Sequence, residues 1–436
     1  MLEPIRYTPA AQDPRLRDII TRTIEFTPEL EASVNHIVAE VEAHGDSAVL
    51  AFTKEFDGVE LSADRLIVTP DELDAAERRV DPSLTRVIRE AADNIHRFHE
   101  NQKRRDWSVD DGDGVILGKR IVPIERVGLL VPGASAPLFS TLLMAVVPAK
   151  VAGVSHIAVA TPPQPDGDIH PAVLAAAKIA GVDRIYRAFG AQAVAALAYG
   201  TETIKRVDKL VGPGHPVVQI AKKRVFGRVD IDMVAGPSEI VVIADKSAAP
   251  RLVAADMLSQ AEHGSGYEAA VCVTPDPEIA ALVAEELTAQ LADLAHREAA
   301  ERALSRYGAI VIVDDLAQAV DLTNQIAPEH VELIVDDPWQ LQAGIRHAGA
   351  IFLGAASSEP VGDYFAGTNH ILPTAGAARY ASSVGVDTFL KDISLISYTD
   401  ERLRKTAGAI MQMAEAEGLD GHANAIRVRL QSPDFE

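Results

Sequence analysis

The sequence predicts an α/β protein made of two tandem, incomplete Rossmann-like parallel-sheet domains, with small helical segments at both ends. Three observations lead there. From Val127 onward short β-type runs alternate with Ala-rich helical ones; the alternation restarts at Ile240; and aliphatic residues dominate while aromatics make up only 5% of the chain. Strands alternating with helical patterns argue for βαβ units around a parallel sheet. Two such blocks in tandem suggest duplication, although no fixed short repeat is visible.

Residues 1–125 read as a helical region. Thr27 and Pro28 open a helix that runs to His44 and Gly45, Pro70 with Asp71 and Glu72 opens another, and 81–105 carries apolar residues at helical spacing among many charges. A link rich in Asp and Gly at 110–114 breaks this pattern. The first α/β domain is placed at 126–238, with strands at 127–131, 156–160 and 184–186 and helices at 140–152, 171–180 and 192–199. The second, at 239–387, has strands at 240–245, 270–273, 309–313, 331–335 and 350–353, a helix at 250–262 and a long one from 277 to about 306. Residues 388–436 look helical and too small to fold alone, so they are expected to pack on another domain or subunit.

Composition excludes several classes of function. The 436 residues hold 41 Lys plus Arg against 63 Asp plus Glu, a net charge of −22, which supplies no basic footprint for nucleic acid. The single cysteine, Cys272, rules out an intrachain disulfide and thiolate zinc motifs, so any metal must be held by His, carboxylate or amide. The start lacks the layout of a signal peptide, and the longest apolar stretch, 140–154, is interrupted by Pro148 and Lys150. A soluble, cytoplasmic protein is expected.

Four places could carry chemistry. Gln260 and His263, three apart near a helix end, put an amide and an imidazole on one face as half of a metal site; the plainer reading is a His near the negative end of a helix. Asp363 follows Gly362 between apolar runs, which suits a side chain in a cleft or a turn cap. Glu329 and His330 stand together after Ala327-Pro328, where a turn can bring an acid and a base into one cleft, although a solvated Glu beside a packed His is the commoner outcome. His422 follows a carboxylate-rich helix end and reads in isolation as an exposed terminal His. Gly-rich turns recur at 131–136, 212–214 and 235–238, the first between a strand and a helix where dinucleotide phosphates bind, yet no G-x-G-x-x-G is present.

Read together and in order, these strings resemble the histidinol dehydrogenase family. The segments are Arg126-Val127-Gly128-Leu129, 148–154, Gly190-Ala191-Gln192-Ala193, Ala198-Tyr199-Gly200-Thr201, 231–239, Leu258-Ser259-Gln260-Ala261-Glu262-His263, Ala327-Pro328-Glu329-His330, Gly362-Asp363-Tyr364, Asn369-His370, and 414–419 with His422. The resemblance implies oxidation of L-histidinol through a held histidinaldehyde to L-histidine, with two NAD⁺ used in sequence. It implies one Zn²⁺ per subunit held by Gln260, His263, Asp363 and His422, the last reaching in from the partner of an intertwined homodimer. Ser238, His370 and Glu417 would contact the substrate along with the zinc ligands, Glu417 suiting its ammonium group. His330 would be the general base of the first oxidation, and Glu329 would activate the water for the second.

The departures from the family pattern fall on the cofactor side. Leu130 stands where a Tyr is usual, Ala134 and Phe189 replace glycines, His215 replaces an Asn, and Gln192 alone of the expected NAD contacts is kept. Three rivals stay open at this point. They are a related alcohol dehydrogenase acting on another diol or amino alcohol, a zinc hydrolase using Glu329, and a non-catalytic relative with impaired NAD binding. Glu417 disfavours an anionic sulfonated diol, and the lack of H-E-x-x-H disfavours the hydrolase.

Overall fold

A computed structural model of the chain describes residues 2–8, 13–24, 26–133 and 136–432, so Ala134 lies outside the described residues. The strands run in chain order β1 (Ile5–Arg6), β2 (Trp107–Asp110), β3 (Val115–Pro123), β4 (Arg126–Leu130), β5 (His156–Thr161), β6 (Arg184–Arg187), β7 (Lys209–Val211), β8 (Asp230–Ile231), β9 (Glu239–Ala244), β10 (Ala269–Thr274), β11 (Gly308–Ile312), β12 (His330–Ile334), β13 (Ala350–Leu353) and β14 (Leu390–Tyr398). Two compact units result, Met1–Gln102 with Ile124–Phe389, and Lys103–Pro123 with Leu390–Glu436.

The larger unit holds two wholly parallel sheets. One has the order β6-β5-β4-β7-β8, the other β1-β11-β10-β9-β12-β13. This is the α/β architecture that the alternation of the sequence predicts. The central strands β9, β10 and β12 are buried along their whole length, as a sheet covered by helices on both sides requires. In β9, Ile240, Val242 and Ala244 enter one apolar cluster while Val241 and Ile243 enter the other, the period of two expected of a strand. Helix Phe139–Ala152 is buried nearly all round, which is why its sequence shows no polar face. Helix starts follow local chemistry: Thr27 accepts the amide hydrogen of Leu30 with Pro28 at the first position, and Thr69 with Glu72 forms a reciprocal cap for Pro70–Arg79.

Four expectations change. The long helix from 277 becomes two, Pro277–Leu291 and Arg297–Tyr307; between them the chain turns so that both Leu291 and Leu294 reach the core, a break that carries no Gly or Pro to announce it. The N-terminal region is not helical throughout, because β1 joins the edge of the six-stranded sheet beside β11. Asp363 lies on a six-residue helix, Glu359–Tyr364, and not between strands. The C-terminal segment opens on a strand.

That strand, β14, belongs to the smaller unit, where all nine of its residues pair antiparallel with β3, and β2 pairs with the other edge of β3. The Asp/Gly link lies between β2 and β3. Lys119 and Arg104 both reach Asp392, at 2.9 and 3.2 Å. Helices Asp400–Ala416 and Asp420–Leu430 follow. The sheet leaves Val109 and Ile396 60% and 74% exposed, unusual for apolar residues in strands.

Candidate active site

Parallel strands and the helices between them run in opposite directions, so the amino ends of β9 and β12 lie level with the carboxyl end of helix Pro250–Ala261. Glu239 begins β9, Glu329 immediately precedes β12, His330 begins it, and Gln260 closes the helix. Ala327 makes the turn that delivers Glu329 and His330. It sits in the left-handed region at φ +53°, a conformation costly for a residue with a Cβ, and fits the strained turn that the sequence suggests.

The two neighbours do reach one place. His330 Nδ1 is 2.9 Å from Gln260 Oε1 and 3.1 Å from the carbonyl oxygen of Glu239, both acceptors, so Nδ1 carries the proton. Nε2 is then the unprotonated nitrogen, and it is buried without a partner among the described residues. Burial, followed by the charge of His263, pushes the ring down to about 3, which keeps it neutral. Glu329 lies 3.8 Å away, its Oε2 accepting the amide hydrogen of Glu239 at 3.1 Å, with Ser238 also hydrogen-bonded to its carboxylate. Burial raises the Glu329 carboxyl well above the usual range. A neutral base with a free lone pair beside a carboxyl that prefers to keep its proton can carry out proton transfer in two separate steps.

Next to this pair stands a donor cluster. Ligand atoms of His263, Glu359 and Asp363 all lie within 4.8 Å of one another. His263 Nδ1 is 3.1 Å from the carbonyl oxygens of Ser259 and Gln260, leaving Nε2 as the ring nitrogen available to a ligand, and Gln260 Nε2 is 3.3 Å from the same Nδ1. His370 is held at both nitrogens, by the carbonyl of Asp363 and by Thr141 Oγ1, each at 3.1 Å. Burial raises Asp363, and raises Glu359 to about 8. Carboxyls crowded into one low-dielectric place without a cation are what a divalent ion would relieve, and N/O donors of this kind suit zinc. Glu359 is the member that sequence reading missed. Its signal, the pair Glu359-Pro360 opening a helix four residues before Asp363, is too short to notice.

Glu417 and His422 belong to the smaller unit. Both are exposed, Glu417 at the end of helix Asp400–Ala416 and His422 in the first turn of Asp420–Leu430.

The other sheet offers a different kind of place. Its strand order reverses between β4 and β7, and crevices at such switch points, outside the carboxyl ends, are where nucleotides bind. Val131, Pro132 and Gly133 leave β4 there, and Gly212-Pro213-Gly214 leaves β7. Gly212 cannot carry a side chain, because φ is +126° and a Cβ would meet the Leu130 carbonyl oxygen at 2.3 Å. A buried ion pair, Lys222 with Asp232 at 2.5 Å, brackets this turn. Lys222 donates to the Gly212 carbonyl at 2.9 Å, and Asp232 accepts the Gly212 amide hydrogen at 2.8 Å. Helix Pro216–Val225 has no side-chain cap and opens on Pro216, which has no amide hydrogen; the Val218 amide hydrogen goes to the His215 carbonyl at 2.8 Å, so what this start offers an anion is chiefly the positive end of the helix dipole, with His215 exposed beside it. Gln192 is buried in the first turn of helix Ala191–Tyr199, and Leu130 is buried at the end of β4.

A nucleotide-type crevice on one parallel sheet and an acid, a base and a metal-type donor cluster on the other define a dehydrogenase-class oxidoreductase. A profile described as histidinol dehydrogenase matches residues 20–430. The chain is 52% identical to the histidinol dehydrogenase of a Synechococcus species over 93% of each chain, and 53% identical to that of Moorella thermoacetica over 91% of this chain and 94% of the relative. The crystal structure of histidinol dehydrogenase from Elizabethkingia anophelis superposes with a TM-score of 0.92 over 99% of both chains at 38% identity. The chain belongs to the histidinol dehydrogenase family.

Proposed function

We propose that this chain oxidises L-histidinol to L-histidine in two successive NAD-linked steps, with His330 as base for the first and Glu329 as base for the second. The observation that carries the reading is the unpartnered, unprotonated Nε2 of buried His330 beside Glu329 and the donor cluster. The hydroxyl proton of the alcohol passes to Nε2, while Nδ1–H stays anchored on Gln260 and Glu239. The aldehyde then needs water. Glu329, once ionised, takes a proton from that water, and Ser238 orients its carboxylate. NAD, bound in the crevice between β4 and β7 with Gln192 as a contact, would supply the hydride acceptor.

Gln260, His263 and Asp363 would hold the zinc, completed by the partner subunit's His422. When bound, zinc supplies an anchor for the amino and imidazole nitrogens of the substrate. His370, fixed at both ring nitrogens, and Glu417 would line the substrate, the carboxylate of Glu417 matching an ammonium group. The exposed apolar residues of the small antiparallel sheet support a homodimer, because a three-stranded sheet open to water is marginal without cover. No helix of the described residues is long and apolar enough to cross a membrane.

With Leu130 and His215 standing where the family pattern has a Tyr and an Asn, NAD is held by altered or weaker contacts, which titration of NAD⁺ into the zinc-loaded protein checks; ordinary tight binding opposes it. The direct test of the function is production of two NADH per L-histidinol, with and without a chelator. No NADH sinks the reading, and NADH only from other alcohols favours a different substrate.

A further inference from the structure

We infer that Glu239, whose side chain has no role in the chemistry above, is a positioning residue that aims both Glu329 and His330. Its backbone is engaged at both ends. The amide hydrogen goes to Glu329 Oε2 at 3.1 Å and the carbonyl oxygen receives Nδ1–H of His330 at 3.1 Å. One peptide segment therefore orients the carboxylate and, together with Gln260 Oε1, fixes the tautomer of the imidazole. Anything that shifts this residue misplaces both groups together.

The side chain holds that segment still. Its Oε1 pairs with Arg22 Nη1 at 3.3 Å, and its Oε2 accepts the amide hydrogen of Ala375 at 3.1 Å. Both members of the ion pair are almost wholly inaccessible, with side chains 7% and 4% exposed. Arg22 is itself fixed, donating to the Tyr267 carbonyl and lying 4.7 Å over the Tyr307 ring. Ala375 adopts φ +52°, a left-handed conformation at a residue with a Cβ, and the Glu239 carboxylate ties down its amide. An apolar side chain would fill this space at lower desolvation cost than a buried ion pair, but it could not fix a backbone in one register; geometric specification is the gain that offsets that cost.

The inference rests on the proposed roles of Glu329 and His330, and the experiment separates the two. Glu239→Ala, Glu239→Gln and Arg22→Gln are compared with the parent at matched zinc content and at a temperature where all are folded. The readouts are kcat for histidinol and for histidinaldehyde, KM, histidinol affinity without NAD, and the ¹⁵N-resolved ring signals of His330. Expected is a kcat loss of roughly 100-fold in Glu239→Ala for both substrates with KM and zinc stoichiometry unchanged, and of about 10-fold in Glu239→Gln, whose amide oxygen still accepts from Ala375. A folded Glu239→Ala with parental kcat, or with a loss confined to KM or metal content, overturns the inference. If Glu239→Ala does not fold, Arg22→Gln decides: a several-fold loss confined to kcat supports the inference, and no change overturns it. Should the parent protein fail to oxidise histidinol, the functional reading falls. The ring signals then decide, since a pure Nδ1–H tautomer in the parent and a mixture in Glu239→Ala support positioning, and identical spectra overturn it.

Discussion

The two parallel sheets of the larger unit share a plan and divide the labour at opposite ends. Both have a switch point, between β4 and β7 in the five-stranded sheet and between β9 and β12 in the six-stranded one. In the first, the carboxyl ends of the strands run into Gly turns and the start of helix Pro216–Val225, whose positive dipole end favours an anion. In the second, the same ends run into Asp245 and Asp336, joined by a 3.0 Å hydrogen bond, an acidic place that repels phosphate. Its amino ends carry the proposed chemistry, where the negative end of a helix favours cations. A repeated architecture thus supplies two electrostatically opposite platforms, one for an anion and one for a metal ion and a proton acceptor.

The largest expected effect tests whether chemistry is confined to the six-stranded sheet. His330→Asn lowers kcat about 10²- to 10⁴-fold with NAD affinity unchanged, read by steady-state kinetics and NAD⁺ titration. Glu329→Gln should lower oxidation of histidinaldehyde more than the first NADH release from histidinol. A variant that also loses NAD would break the division of labour.

Metal removal is next. Chelation should abolish turnover and lower the melting temperature by an amount equivalent to about 2.7 kcal/mol when zinc had been present at about 100 times its dissociation constant. His263→Ala should remove that shift while leaving the nucleotide titration alone. On the other sheet, Gly190→Ala is expected to weaken NAD binding roughly tenfold, about 1.4 kcal/mol. Gly190 sits at φ +93°, and a Cβ there would lie 2.7 Å from Gln192 Oε1, pushing that side chain away. Zinc content and histidinol affinity should not move.

The smallest effect is a control that touches neither platform. Burial raises Asp57 to about 6, with one carboxylate oxygen unpartnered. The folded state therefore holds a proton that the unfolded chain releases above its ordinary value near 3.8, so the stability this group contributes at low pH is lost as pH rises through about 6. Asp57→Asn should raise the melting temperature by a few degrees at pH 7 and very little at pH 4, without changing kcat. Equal shifts at both pH values would show that Asp57 does not titrate as burial implies.

Much of this was legible in the sequence. The sheets were readable because buried parallel strands such as Ile240-Val241-Val242-Ile243 are continuous aliphatic runs between capped helices. The small antiparallel sheet was not, because Leu390–Tyr398 mixes Lys, Asp and Ser with apolar residues and stays exposed, so it shows neither a clean alternation nor a buried run. At the site, Gln260 with His263 and Glu329 with His330 carry local spacing signals that structure brings together. Glu239 and Arg22 carry none, since their partners lie tens or hundreds of positions away, and Glu359 carries only the short pair Glu359-Pro360 before Asp363. Separation of that kind hides a contact from any reading of local pattern.

The stretch 232–238 that joins the sheets is pinned along its length. Asp232 clamps the Gly212 turn, the Ala235 amide hydrogen goes to Gln219 Oε1 at 2.9 Å and that of Gly236 to Thr374 Oγ1 at 2.5 Å, and the Ser238 side chain is hydrogen-bonded to the Glu329 carboxylate. On the proposed reading such a segment works as a ruler between the cofactor crevice and the base. Inserting one residue into it would lengthen the ruler by about 3.5 Å, as much as the whole near-attack distance between reacting atoms. The length of this connection, and not only its composition, is therefore under functional constraint, in contrast to the surface loops of the same protein.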